Sequence, residues 1–387
     1  MNLPLHLSLA EAEARHLVDG DGHPIVESRE LLPAREIEVA PLAFGDTDFS
    51  HRRVFERPYE GAWCESVYRS APVRLYRLRG ALVHSSSGIV MLRPVDQTTG
   101  QTGLCLLDET IQYIELAEHG IHLDRDVGSI SVSSEKFSRL QNRAVHLLAP
   151  GGAYNYYHWN IDVMSRFSVL PEKYLDDVLL VPPLRCQFQW DFLNGVASRR
   201  AVRLQAVHAP ETVEVDELIL IPNIGDFGHF PRPEQLRVFA SSGLGAPSTA
   251  TGRRLYIARR NAEHRRLLNE QEVITLLEAA GYEILECETL PLAEQAQRFA
   301  EASHIVAPHG AGLTNVVYCD SRAALCELQM DLNVNWLFRR LGNLKGIRYG
   351  CVVGENDGPW EPLRPHNKAW RLPVDRLAAV LKREGFL

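Results

Sequence analysis

Three stretches of the 387-residue chain carry side chains whose types and spacing could do chemistry. In GGAYNYYHWNIDVMSR, His158 and Asp162 stand four residues apart, so on a helix an imidazole and a carboxylate share one face. At about 100° per residue, Asn155, His158, Asp162, Ser165 and Arg166 form a polar stripe, while Trp159, Val163, Met164, Phe167 and Leu170 take most of the remainder. A helix apolar over most of its circumference is largely buried, so that stripe lines a cavity or meets other polar groups. The pair then has three readings: a mutually satisfied core pair, two ligands of a metal site lacking a third, or an acid/base pair facing a cleft.

The second stretch, GRRLYIARRNAEHRR, puts arginines at 253, 254, 259, 260, 265 and 266 against the single acid Glu263. A guanidinium keeps its charge and binds phosphate through two parallel bonds, which suits a diphosphate; a solvated basic loop is the plain alternative. The third is Pro308-His309-Gly310-Ala311-Gly312-Leu313-Thr314-Asn315, after the apolar run HIVA. Glycines let backbone approach a ligand closely, and the amides that open a helix can cradle a phosphate. A dinucleotide fingerprint would need a third glycine where Asn315 stands, and the candidate ribose acid, Glu327, follows Gly312 by only 15 residues. A tight turn capped by His309 is the alternative there.

The elements that must position these groups are legible from periodicity. From His146 the chain alternates: HLLAP, DDVLLVP, AVRLQAV and DELILIP are strands, with helices over YNYYHWNIDVMSRFSVL and QWDFLNGVA. Such βαβ alternation implies a parallel sheet covered on both faces. The stretch 241–252, SSGLGAPSTATG, is the best linker candidate and marks the predicted domain boundary. Beyond it RRLYIAR, YEILEC, HIVAP, ALCELQ and IRYGCVVG alternate with helices, in a second Rossmann-like half over 253–387. Val273, Leu276, Leu277 and Ala280 keep helical spacing with Gly281 just past the end, and Leu292, Ala296, Phe299 and Ala300 repeat it after Pro291. Before 146 only Val73 to Leu92 has a clear pattern, a β meander broken by Gly80 and Gly88, within an N-terminal region 1–145 assigned to the same domain as 146–240.

Composition bounds the partners. With 41 Lys and Arg against 49 Asp and Glu, the net charge of −8 argues against a general binder of nucleic acid or anionic membrane, so any anion site is local. Seven cysteines without a C-x-x-C pair fit neither a disulfide scaffold nor a zinc site and suit a reducing cytoplasm. No signal peptide and no run of roughly 20 apolar residues is visible.

Together the HWNID, YIARR and HGAGLTN blocks, followed by a strand ending in CELQ, resemble glycosyltransferase family 61 over residues 140 to 355. The resemblance implies an α/β, GT-B-like fold, two Rossmann-like domains facing across a cleft with an N-terminal β-rich extension. It implies an inverting, metal-independent transferase of hexosyl or pentosyl groups, with a nucleotide-sugar donor, a UDP-sugar first, and no cofactor. The acceptor would be a glycan or surface polysaccharide such as capsule, with peripheral association to a membrane-bound assembly machinery compatible with this. Carried over, Arg259 and Arg265 contact the diphosphate, and His309, Gly310, Ala311, Gly312 and Leu313 wrap it through backbone amides. Asn315 lies close by, and Glu327 accepts from ribose. Asp162 is the first choice for the base that deprotonates the acceptor, and His158 the second. Asp124-Arg125-Asp126 spells a metal motif of another glycosyltransferase fold but lies outside the matching blocks. An NAD-type oxidoreductase and a catalytically inactive nucleotide-sugar-binding protein are the competing expectations.

Overall fold

The computed structural model describes residues 5–14, 25–46, 66–93, 103–111, 114–124, 126, 128–197, 201–222, 224–225, 229–244, 252–331, 334–357 and 369–387. The chain divides into two compact units, Met1–Arg35 with Ser70–Gly228, and Glu36–Arg69 with His229–Leu387.

The first unit is built on one mixed sheet. Its strands are β1 (Ile25–Leu32), β2 (Val73–His84), β3 (Ile89–Leu92), β4 (Cys105–Leu107), β5 (Lys136–His146), β6 (Val178–Val181), β7 (Arg203–Ala206) and β8 (Glu211–Leu220). They lie in the order β4-β3-β2-β8-β5-β6-β7, with β1 antiparallel to β2. The ladder from β8 through β5 and β6 to β7 is parallel, and β6, Val-Leu-Leu-Val, is buried at every position, as a strand covered on both faces must be. The meander predicted as an entry region is not a separate layer: β2 pairs antiparallel with β8 from Tyr76 to His84 and continues the same sheet. Leu78, Val83, Val90, Leu107, Leu148, Leu180, Val215 and Leu218 fill one core across both parts. Helix α1 (Gln187–Ala197) follows β6.

The second unit is a five-stranded parallel sheet of β9 (Arg253–Ile257), β10 (Glu283–Leu285), β11 (Ala302–Pro308), β12 (Ala324–Met330) and β13 (Arg348–Asn356), extended at the β13 edge. Its order is β10-β9-β11-β12-β13, so the direction of winding reverses between β9 and β11. Helices α2 (Glu270–Ala279), α3 (Leu292–Glu301), α4 (Leu337–Leu344) and α5 (Val374–Arg383) cover it. Helix α2 buries Val273, Ile274 and Leu277, and Gly281 takes the left-handed conformation, φ 77°, that follows many helix ends.

Two boundaries differ from the sequence reading. Residues 36–69 group with the later unit rather than with the rest of 1–145, because Phe44–Gly45 adds a parallel strand to β13. Gly350 leaves room for the Phe44 ring there, and Asn343 of α4 accepts from Ala40 N (2.8 Å) and donates to Glu38 O (2.7 Å). The break between units falls at 228/229, ahead of the expected linker; Val238 and Phe239 are already buried, and 245–251 lie outside the described residues. No helix among the described residues is long and apolar enough to cross a membrane.

Candidate functional site

In the first unit, chemistry collects on the segment after β5. The chain turns at Gly151, φ 75°, where an added Cβ would stand 2.7 Å from the His158 ring, so a side chain there is excluded twice. Asn155 then caps a helical segment, its Oδ1 accepting from Tyr157 N (2.9 Å) and His158 N (3.3 Å). The segment is not the uniform α-helix that 100° spacing assumes. One α turn over Tyr156–His158 widens to a π-helix over Trp159–Val163 and tightens to 3₁₀ over Met164–Ser168. The wide turn buries Asn160 along with Asp162, Ser165 and Arg166, so the polar stripe faces other polar groups of the interior.

His158 is the exception. Its Nδ1 donates to Asp162 Oδ2 at 2.6 Å, and its side chain is 36% exposed against 4% for Asp162. The other carboxylate oxygen, Oδ1, is buried without a hydrogen-bond partner. Beneath the pair, Arg166 donates to Leu148 O (2.6 Å), His146 O (3.3 Å) and Pro222 O (3.1 Å), joining the segments that leave β5 and β8. Burial lowers its pKa to about 10, a fall that Asp162 opposes. Next to it, burial and the Arg166 charge push His146 down to about 3; the neutral ring donates from Nε2 to Gly88 O (2.9 Å). The glycine turn is also held from α1, where the buried Gln189 donates to Gly152 O (3.2 Å) and Ala153 O (3.3 Å).

In the second unit the winding reverses between β9 and β11, and the carboxyl ends of strands at such a reversal are where ligands of parallel sheets bind. Of the six arginines in the basic run, four are spent elsewhere or exposed. Arg253 pairs with Glu283 and Glu301, Arg254 donates to Ala280 O, Arg260 pairs with Glu286, and Arg266 is exposed. Arg259 and Arg265 remain, both half-buried, and neither reaches a carboxylate within ion-pair distance among the described residues. Arg259 follows β9; its amide donates to the buried Glu270 (2.7 Å), which also accepts from Tyr256 OH (3.0 Å), and its Nη2 donates to His264 O (3.2 Å). Arg265 sits in the left-handed region, φ 53°, held there by Trp370, whose Nε1 donates to Arg265 O (2.9 Å). Burial lowers both guanidinium pKa values, and the Arg259 charge helps bring Arg265 to about 10. On each, Nε is buried without a partner.

The glycine corner meets Arg259. An added Cβ at Gly310 would overlap the Arg259 guanidinium, with Cζ at 2.8 Å, so a side chain here would displace Arg259 from the corner; its φ of 178° is ordinary. The segment that follows is a 3₁₀-helix, Ala311–Tyr318, rather than an α-helix. Gly310, Ala311 and Gly312 begin it; the Leu313 amide is taken by Gly310 O (2.9 Å), so Leu313 offers no free donor. Asn315 is buried and donates to Gln295 Oε1 (2.8 Å), beneath the corner rather than in it. Glu327 departs furthest from the expected ribose contact. It is 0% exposed, and its oxygens accept from His309 Nδ1 (2.5 Å) and Tyr349 OH (2.5 Å), so the carboxylate is enclosed by its partners rather than open to a sugar hydroxyl.

Glu270, Trp370, Tyr349 and Gln189 were not singled out in the sequence. An acid in the first turn of α2 was a visible signal for Glu270, whereas Trp370 meets Arg265 across 105 residues and had none. Among the described residues no group of three His, Cys, Asp or Glu could hold a metal ion, and Asp124 Oδ1 simply accepts from Asp126 N (3.0 Å).

Fold and site define a class: a mixed α/β protein with a histidine–carboxylate pair in the mixed-sheet unit and a corner of arginines and glycines in the parallel-sheet unit. The family model described as Glycosyltransferase 61 matches residues 156–326, which supports a glycosyltransferase. The match holds His158, Asp162, Arg259, Arg265 and the glycine corner, and stops one residue short of Glu327. No curated protein matches the chain.

One consequence is local. Gly310→Ala should push the Arg259 guanidinium aside with little change in melting temperature, because the displaced atoms are the far end of a flexible side chain. Thermal denaturation of the native chain and the variant checks it; a large loss of stability would show that the corner is a packing element.

Proposed function

We propose that the chain is an inverting glycosyltransferase of GT-B type that moves a sugar from a nucleotide diphosphate, a UDP-sugar first, to a hydroxyl of a glycan or surface-polysaccharide acceptor. The observation that carries this reading is the pair Arg259 and Arg265, two cationic groups with no carboxylate in ion-pair distance among the described residues, at the β9–β11 reversal where Gly310 meets Arg259. Half-burying two like charges side by side is costly, and the nearby carboxylates Glu270, Glu288 and Glu327 only partly offset the burial, whereas a bound diphosphate would pair with both guanidinium groups directly. The family match adds support from an independent direction.

In this reading Arg259, Arg265 and the amides of Gly310, Ala311 and Gly312 hold the diphosphate and stabilise the charge that grows on it as the glycosidic bond breaks. The His158 imidazole accepts the acceptor hydroxyl proton at Nε2 while Asp162 steadies the Nδ1–H side. This exchanges the order of the two candidates for the base: the reachable group is His158, and Asp162 acts through it. Fixed guanidinium charge does the work that a metal ion does elsewhere, so turnover should survive EDTA.

The test is a thermal-shift panel of UDP, GDP, CMP and TDP sugars with NAD(H) alongside. A ligand at 100 times its Kd adds about 2.7 kcal/mol of stability. Stabilisation by one nucleotide-sugar series, followed by its turnover with a glycan acceptor, supports the reading. Stabilisation by NAD(H) alone would overturn it.

A further inference from the structure

We propose that His309 is the proton donor to the departing diphosphate, with Glu327 and Tyr349 behind it as a closed chain that holds its imidazolium form. The inference rests on the reading of the β9–β11 corner as a diphosphate site and goes beyond it by assigning the fate of a proton.

The ring is fixed on every side but one. The His309 amide donates to Leu328 O (2.9 Å), which sets the backbone as it leaves β11. Nδ1–H donates to Glu327 at 2.5 Å, and Phe338 of α4 packs against the ring at 5.1 Å between centroids. Because a carboxylate only accepts, Nδ1 keeps its proton, and Nε2 alone can gain or lose one. The side chain is 11% exposed, so this is a sealed site with one small opening.

The groups that act on the ring come from four elements. Glu327 lies on β12, Tyr349 on β13 behind it, and Arg259 and Arg265 on the segment after β9; α4 presents the uncharged Phe338. Burial first, and then the two guanidinium charges, hold His309 below the ordinary histidine range, against the pull of Glu327. In the ligand-free protein the ring is therefore neutral near pH 7. A bound diphosphate reverses the field: it neutralises the guanidinium charges and sets anionic oxygens beside the ring, so Nε2 takes up a proton. Were fixed positive charge all that the site needed, an arginine would supply it without a buried carboxylate to compensate.

The step balances. The acceptor oxygen bonds to the anomeric carbon and gives its proton to the base. The bond from that carbon to the diphosphate oxygen breaks, and its electron pair stays on that oxygen. The oxygen takes the Nε2 proton, and His309 is left neutral with Nδ1–H still on Glu327.

Calorimetric titration of UDP into the full chain at about pH 8, where its terminal phosphate is already ionised, in buffers of different ionisation enthalpy, tests this. Uptake approaching one proton per UDP is expected for the native chain, close to none for His309→Gln, and an intermediate amount for Glu327→Gln. Turnover should also fall with rising pH along an alkaline limb that His309→Gln lacks. UDP binding without proton uptake would overturn the inference and leave the diphosphate reading standing. Failure of both UDP and inorganic pyrophosphate to bind would overturn the two together. Should His309→Gln not fold, proton uptake by the native chain alone decides.

Discussion

Replacing His158 with glutamine is expected to cut turnover 10²- to 10⁴-fold, the range over which a positioned general base acts, while UDP affinity stays within about twofold. The expectation follows from which atom can be reached. Asp162 is sealed by the π turn and spends Oδ2 on His158, whereas the imidazole is 36% exposed and can be reached from solvent. Asp162→Asn keeps the shape but offers Nδ1 an amide in place of a carboxylate, so the ring loses the partner that fixes its tautomer. It should lose less than His158→Gln, about 10- to 100-fold, if Asp162 works through the ring. Were Asp162 itself the base, the order would reverse, with Asp162→Asn the more damaged enzyme and His158→Gln retaining much of its rate. Steady-state kinetics of both variants, with UDP affinity measured separately, distinguishes the two orders.

The sequence carried the parallel halves well, because long apolar strands alternating with amphipathic helices leave a periodic mark that local physics reproduces. Helix α2 with Gly281 behind it, and Pro291 before α3, were legible for that reason. Local spacing also brought His158 to Asp162, and the basic run to the glycine corner. What it missed was set at long range. The strand at Phe44–Gly45 is two residues long, and its place beside β13 depends on the space above Gly350 rather than on any pattern in residues 36–69. The π turn was hidden because a constant angle was assumed, although Asn160, a polar residue at an angle outside the stripe, lies inside it. Glu327 shows the limit most clearly. An acid at the end of a strand suits a ribose, but Tyr349 and His309 come from other parts of the sheet to claim both of its oxygens, and no spacing rule anticipates that.

The second large effect is expected at the arginines. Each guanidinium that bonds a phosphate oxygen is worth about 1.5–3 kcal/mol, so Arg259→Ala or Arg265→Ala alone should weaken UDP binding roughly 10- to 100-fold. The double variant should fall short of the product of the two, because they share one ligand. A structural role would predict that the ligand-free protein suffers as well. Here the opposite is expected for Arg265. It holds a half-buried charge beside Arg259 with no carboxylate in ion-pair distance among the described residues, and its backbone sits at φ 53°, a conformation that asparagine tolerates better than arginine. Arg265→Asn should therefore leave the ligand-free melting temperature unchanged or raise it by a few degrees, about 1 kcal/mol of relief, while abolishing most of the shift that UDP produces. Stability gained together with binding lost is the signature of a site held ready for an anion. Thermal denaturation of the native chain and of Arg265→Asn, each with and without UDP, reads both quantities in one experiment; a variant that melts lower yet binds UDP normally would remove Arg265 from the site.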